Sequence, residues 1–390
     1  MNETSRGRAG SLARVFKTSE LSLLCFALAN LRVSPLTSAS SHFDIGSAGR
    51  SLGSSKLFRD KAFHVPYLGP HYFLDRKEHV SKLRMICNES SKSRHHFVVE
   101  DCRVVHVSNE ESYESRYRSI RTLIDRALSL ACPARLRKGR FEFCVLTGDI
   151  EEDATSMLND VPVFAPAATK TRIGSLIPAP DHVFAGWPEA HSGIENYTDF
   201  YERCRGDVST ASHSTAGKVG GARRPCQTPW SSRRQQLVWA GMPTHEQRVK
   251  YINALQQHGD FANVTIGLGR TQFIDQAATQ HVLDVRGNGY SGRTPLLFLL
   301  GSTVWLDVDS PYIRHFTPMF VPWVHYVPVR LATLNKTIEW ARANPRKCEE
   351  ISRNGQELAF RVFHPDNVAR TWSLLLQRLA LFVKPDFEAP

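Results

Sequence analysis

The run Arg286-Gly-Asn-Gly-Tyr-Ser-Gly-Arg293 carries the first chemical signal in the sequence. It sets Gly287, Gly289, Ser291 and Arg293 between a predicted strand, His281–Val285, and a predicted helix that starts at Leu296–Leu300. Glycines let backbone N–H groups come close to a phosphate, and a helix start adds partial positive charge. Arg293 has the forked guanidinium that suits phosphate oxygens. The run is neither a Walker A loop nor G-x-G-x-x-G, so a plain tight turn fits it as well as phosphate binding does. Asp149 is the second signal. It follows the predicted strand Phe141–Leu146, where α/β sheets gather ligand-binding groups, and a carboxylate there can act as a general base. A helix-cap or turn role is the plainer alternative. Asp307-Val-Asp309 would put two carboxylates on one strand face, as a divalent ion needs. Its plainer reading is a strand end leading into Ser310-Pro311. No H-E-x-x-H, G-x-S-x-G or C-x-x-C occurs. Trp187 and Trp323 read first as core residues, with a stacking wall for a sugar ring as the alternative.

Elements must position these groups. The stretches His96–Glu100 and Arg103–Val107 read as strands, and residues 111–131 as a helix, because Tyr117, Ile120, Leu123, Ile124, Leu128 and Leu130 recur mostly at three- and four-residue steps. Strand, helix, strand predicts an α/β fold. A second such pattern follows a Ser/Gly-rich stretch at 206–235. It has a strand at Leu237–Trp239 ending at Gly241, and a helix over 244–257 with Thr244 as N-cap. Strands at Thr303–Leu306 and Val324–Val329 come next. Closing helices are predicted over 335–360 and 366–382, the latter with Val368, Trp372, Leu375, Leu376 and Leu379 on one stripe. The expected organisation is a leader over 1–60, an N-terminal domain over 61–235 and a C-terminal domain over 236–390.

Composition narrows the class. The 390 residues are 42% hydrophobic and 10% aromatic, enough for packed cores, so a wholly disordered chain is excluded. No apolar run approaches the length of a membrane-spanning helix. The formal charge is +11, from 49 Lys+Arg against 38 Asp+Glu. Lys218, Arg223, Arg224, Arg233 and Arg234 stand in the 206–235 stretch against Asp207 alone. That reads as a solvated basic loop, with a polyanion or nucleic-acid site as the alternative. Of the eight cysteines, Cys144 lies in an apolar run and reads as a buried thiol. The N-terminus runs from basic (Arg6, Arg8, Arg14, Lys17) to apolar (Leu21–Leu31) to small (Ser38–Ser40), the order of a secretory signal. An amphipathic or unstructured leader is the alternative. N-x-S/T acceptors at Asn88, Asn196, Asn263 and Asn335 fit a lumenal protein.

Residues 281–329 go beyond generic patterning. His281–Arg293, then Gly301-Ser302, Asp309-Ser-Pro-Tyr312 and Pro322-Trp-Val-His-Tyr-Val-Pro-Val329 closely resemble glycosyltransferase family 90, the Rumi-like protein O-glucosyltransferases and capsule-associated xylosyltransferases. Thr147-Gly-Asp149, Ala185-Gly-Trp-Pro188, Pro229-Trp230 and Trp239-Ala-Gly241 are weaker echoes. The resemblance covers about residues 141–380. It implies a GT-B-like fold of two facing Rossmann-like domains and an inverting transfer of glucose or xylose from a UDP-sugar to an acceptor hydroxyl. It also implies no cofactor and no metal, which favours the strand-end reading of Asp307 and Asp309. Asp149 would be the base. Trp239, Gly241, Gly287, Gly289, Ser291, Arg293 and Ser310 would hold the donor, and Trp187 would stand on the acceptor side. The partners implied are a UDP-sugar and a protein or glycan acceptor in the endoplasmic reticulum or Golgi lumen, without nucleic acid.

Three positions depart from the family pattern. Ala240 stands where the family usually has Arg or Lys, Pro295 where it often has Lys, and Arg314 where an acid is expected. These departures open a second reading, a catalytically impaired family member that binds nucleotide sugar as a binding or scaffolding protein.

Overall fold

The three- and four-residue apolar spacing near residue 120 folds as one helix. Tyr117, Ile120, Leu123, Ile124, Ala127 and Leu128 are buried on one face of α2 (Glu114–Leu130), while Leu130, at the helix end, is 49% exposed. The computed structural model describes residues 76–382, except 89–92, 109–113, 133–136, 138–139, 149–160, 162, 170, 173–175, 191–192, 207–224 and 268–271. The leader, most of the basic stretch and Asp149 therefore lie outside the described residues. Helix α1 (Arg76–Asn88) precedes β1 (Arg94–Glu100) and β2 (Arg103–Val107). After α2 come β3 (Arg140–Leu146), β4 (Val163–Ala165), β5 (Ala168–Thr169), β6 (Leu176–Pro178) and α3 (Tyr197–Arg205). The first sheet has the order β2-β1-β3-β4-β6. The β2–β1 and β1–β3 pairs are antiparallel and the β3–β4 and β4–β6 pairs parallel.

The second sheet is wholly parallel. It comprises β7 (Arg234–Gly241), β8 (Ala262–Ile266), β9 (Thr279–Asp284), β10 (Thr303–Asp307) and β12 (Val327–Val329) in the order β12-β10-β9-β7-β8. Its helices are α4 (Glu246–Gln256), α5 (Thr294–Leu299), α6 (Leu334–Ala343) and α7 (Pro345–Val362). All six residues of β9 are buried, as expected when helices cover both faces of a parallel sheet. Gly301 ends the α5 turn in the left-handed region (φ +70°), where a Cβ would also lie 2.7 Å from Gln356 Nε2. The fold is α/β, compatible with a Rossmann-like glycosyltransferase.

A short strand pair and a returning helix link the two sheets. β11 (Tyr312–Ile313) pairs antiparallel with β5. The last helix, α8 (Pro365–Phe382), returns to pack on α2. Trp372 of α8 is fully buried, donates its indole N–H to the Pro180 carbonyl (3.1 Å) and meets Phe164 edge-on.

Several expectations are corrected. Cys144 is buried but paired with Cys87, because α1 lies against β3. Cys102–Cys132 and Cys204–Cys226 also pair, and Cys348 is a buried free thiol. The N-cap of α4 is His245, whose Nδ1 accepts from the Gln247 N–H, while the Thr244 hydroxyl accepts from Arg248. Val324 is not in a strand. Trp323 has φ +63° and donates its N–H to the Tyr326 carbonyl, closing a turn that delays β12 to Val327. Trp323 is 42% exposed rather than core, edge-on to Trp340. Arg233 is buried rather than solvated. It donates to the carbonyls of Cys226, Thr228 and Leu300 and to the Ser302 hydroxyl.

Candidate donor and acceptor site

Asp284 ends β9 at 3% exposure, which would be costly for a carboxylate left without partners. The loop that follows folds back to satisfy it. Ser291 Oγ donates to its Oδ1 (2.6 Å), Arg293 Nε donates to the same oxygen (3.0 Å), and Thr294 Oγ1 donates to Oδ2 (2.6 Å). Arg293 also donates to the carbonyls of Ala240 and Leu283 (2.9 Å to the latter). Its guanidinium lies over the Trp239 ring, 5.4 Å from the centroid. Asp284 thus fixes the whole run 284–294. It stood in the sequence motif, yet only the loop's fold-back gives it this task.

A cavity of about 320 Å³ opens at the C-terminal ends of β7 and β9, the edge where open α/β sheets bind ligands. Arg116, His182, Trp187 and Glu189 form its wall on the side of the first sheet. Gly241, Arg248, Gly287 and Arg293 belong to the facing wall. Bulk is limited there: a Cβ on Gly241 would lie 3.3 Å from an Arg293 nitrogen, and one on Gly287 3.2 Å from an Arg248 nitrogen. Among the described residues, three guanidiniums line the cavity with one carboxylate, Glu189, which pairs with Arg116 (3.3 Å), while Arg293 pairs with Asp284. A net positive cavity of this size suits an anionic small molecule. Arg116 also donates to the Thr147 carbonyl (3.1 Å), two residues before Asp149.

A second cavity, of about 310 Å³, lies across the same loop and includes Asp284, Tyr290, Ser291, Asp307, Ser310 and Arg314. Arg314 is buried against Asp181 (2.9 Å), donates to the Ser291 carbonyl (2.9 Å) and stacks on Tyr290 and Phe316. Burial pushes the Asp181 carboxyl up, and Arg314 pulls it back. Asp307 accepts from Tyr251 (3.2 Å) and from the Asp309 N–H (3.2 Å), and burial raises its carboxyl too. Asp309 pairs with Arg330. Among the described residues, no three His, Cys, Asp or Glu side chains cluster as metal ligands would.

The expected site residues therefore divide. Trp187, Gly241, Gly287 and Arg293 share the first cavity, while Ser291 and Ser310 line the second. Trp239 is buried beneath Arg293, and Gly289 is buried within the loop. Trp230 is a core residue, its indole N–H donating to the Gln280 carbonyl and the Thr303 hydroxyl. Arg116, Arg248 and His182 were missed. The repeating apolar pattern of α2 hides Arg116, and only the meeting of two sheets brings it to this wall.

A sequence model of glycosyl transferase family 90 matches residues 77–390. The chain is 25% identical over 167 residues to protein O-glucosyltransferase 3 of Homo sapiens, covering 39% of this chain and 33% of that protein. It is 30% identical over 112 residues to protein O-glucosyltransferase 1 of Rattus norvegicus, covering 28% of each chain. It is 33% identical over 110 residues to protein O-glucosyltransferase 2 of Danio rerio, covering 28% of this chain and 22% of that one. These matches span a third or less of each relative's length.

Proposed function

The chain belongs to glycosyl transferase family 90, and from that premise we propose that it is an inverting O-glycosyltransferase taking glucose or xylose from a UDP-sugar to an acceptor hydroxyl. The observation that carries this reading is the first cavity, which gathers Trp187, Gly241, Gly287 and Arg293 with two further arginines between the sheets. The sheet β12-β10-β9-β7-β8 serves as the donor side and the first sheet as the acceptor side, two facing lobes that work as domains.

In the proposed step, the acceptor oxygen attacks the anomeric carbon as its proton passes to the Asp149 carboxylate. The bond from that carbon to the diphosphate oxygen breaks, and its electron pair leaves with UDP. General-base help of this kind supplies about 10²- to 10⁴-fold. Arg248 and Arg293 supply the positive charge that the leaving diphosphate needs, so no metal is required in this scheme. Thr147, held by Arg116, supports Asp149 as the acceptor-side base. Ser291 and Ser310 act through the loop and the second cavity.

Ala240 favours the second reading, an impaired family member, because it stands in the cavity wall without the family's cation. Arg248 and Arg293 in the same wall weigh against it. Three disulfides among the described residues favour the secretory lumen, where such bonds persist. No described helix is long and apolar enough to cross a membrane. The internal bonding of Arg233 speaks against a nucleic-acid site.

The test is a donor panel (UDP-glucose, UDP-xylose, UDP-galactose, UDP-glucuronate) read as released UDP. The expected result is turnover with UDP-glucose or UDP-xylose that falls about 10²- to 10⁴-fold in Asp149→Asn. UDP binding without turnover by any donor, restored by Ala240→Arg, would favour the impaired reading. Asp149→Asn retaining activity within about threefold would move the base elsewhere.

A further inference from the structure

His182 opens the short 3-10 turn His182–Phe184 and is 2% exposed. Among the described residues, neither ring nitrogen has a hydrogen-bond partner. Burying a donor and an acceptor unsatisfied is destabilising, and a phenylalanine would fill much the same space without that penalty. The ring belongs to the wall of the first cavity and meets Trp187 edge-on, with centroids 6.1 Å apart. Trp187 in turn reaches the donor loop, since a Cβ on Gly292 would lie 3.6 Å from its indole.

Burial, reinforced by Arg116 and Arg314, holds the imidazole well below its usual pKa, so it is uncharged near neutral pH. An uncharged imidazole offers one N–H donor and one nitrogen acceptor. A phosphate oxygen only accepts and is better served by the arginines. A sugar hydroxyl both donates and accepts, which matches what His182 lacks. A turn about the Cβ–Cγ bond exchanges the ring edges that face the cavity, and that torsion is broad for histidine.

We propose that His182 is a donor-sugar-binding residue, whose imidazole hydrogen-bonds a hydroxyl of the pyranose seated against Trp187 and so contributes to the choice of UDP-sugar. This inference rests on the reading of the first cavity as the UDP-sugar site.

The test is calorimetric titration of the full chain with UDP, UDP-glucose and UDP-xylose, in wild type, His182→Phe and His182→Gln, with a thermal melt of each. In His182→Phe, UDP affinity should stay within about twofold while affinity for the wild type's preferred UDP-sugar falls about tenfold, the scale of one hydrogen bond to a buried group. The melting temperature should hold or rise. His182→Gln, which keeps a donor and an acceptor, should recover part of the loss. UDP-sugar affinity unchanged in His182→Phe, or UDP weakened in equal measure, would overturn the inference. If His182→Phe does not fold, nitrogen NMR of the wild-type imidazole decides. Its resonances should move with UDP-sugar and not with UDP, and identical shifts with both would overturn it. A wild type that binds neither UDP nor any UDP-sugar would instead overturn the reading of the cavity itself.

Discussion

The sheet β2-β1-β3-β4-β6 mixes strand directions and is stapled at its margins, whereas β12-β10-β9-β7-β8 is parallel throughout and held from within. Cys87–Cys144 ties α1 to β3, Cys102–Cys132 ties the β1–β2 turn to the end of α2, and Cys204–Cys226 ties the end of α3 to the segment before β7. Among the described residues, no strand of the second sheet carries such a link. It relies on strands buried on both faces and on polar groups that satisfy one another, above all Asp284 with Ser291, Arg293 and Thr294. Cross-links restrict the unfolded chain, so they can secure β3 against α1 and the β1–β2 turn against α2 without adding apolar burial. A buried polar network acts only in the native state and fixes geometry, which a ligand loop needs.

Reduction should break this contrast most strongly. The disulfides close loops of 57, 30 and 22 residues in sequence separation, each worth about 3 to 4 kcal/mol. Hydrogen exchange followed by mass spectrometry should show β1 to β3 losing protection under dithiothreitol before β9 and β10. Equal loss in both sheets would mean that they unfold as one unit.

Arg293→Ala comes next. It strands Asp284, since the pair is 7% and 3% exposed, and breaking a buried pair costs about 3 to 5 kcal/mol. Chemical denaturation should register that loss along with weaker UDP binding, and Arg293→Lys should recover only part because a point charge cannot replace the fork. A stable Arg293→Ala protein would show that the second sheet does not depend on this network.

A smaller effect is set by pH. His281 sits among Trp230, Phe261 and Trp305, and burial lowers its pKa from 6.5 to about 3. A folded value below the unfolded one means that the contribution is complete above pH 6.5. It declines as pH falls toward 3, by about 1.4 kcal/mol per unit. Raised carboxyls such as Asp181 push the other way, so the comparison must isolate His281. His281→Gln should show a shallower loss of stability between pH 6.5 and 5 than wild type. Parallel curves would contradict this. The smallest expected effect is that of chelation. EDTA should leave UDP affinity unchanged, and lost binding would return Asp307 and Asp309 to candidacy as metal ligands.

Local patterning carried much of the fold. The stripe Val368, Trp372, Leu375, Leu376 and Leu379 announced α8, and the apolar run Phe97-Val-Val99 announced β1. Neither could reveal that α8 packs on α2, because one apolar face reads alike whichever surface it covers. The 286–293 loop stood out because glycine, serine and arginine at close spacing suit a phosphate as well as a tight turn. Arg116 and His182 were not, since each acquires its place only where two sheets meet. Arg233 looked solvated because its neighbours are charged and small, yet its guanidinium caps buried carbonyls. The N-cap of α4 fell on His245 rather than Thr244 because an imidazole nitrogen can accept the Gln247 N–H as a hydroxyl oxygen would.

We propose one UDP-sugar site that spans the cavity between the two sheets. Hydrogen exchange of the full chain with and without saturating UDP-glucose or UDP-xylose tests it most directly. Protection is expected on both walls at once, over residues 182–190 on one side and over 240–248 and 286–293 on the other. Protection confined to one wall, or centred on the second cavity around Ser310 and Arg314, would contradict it.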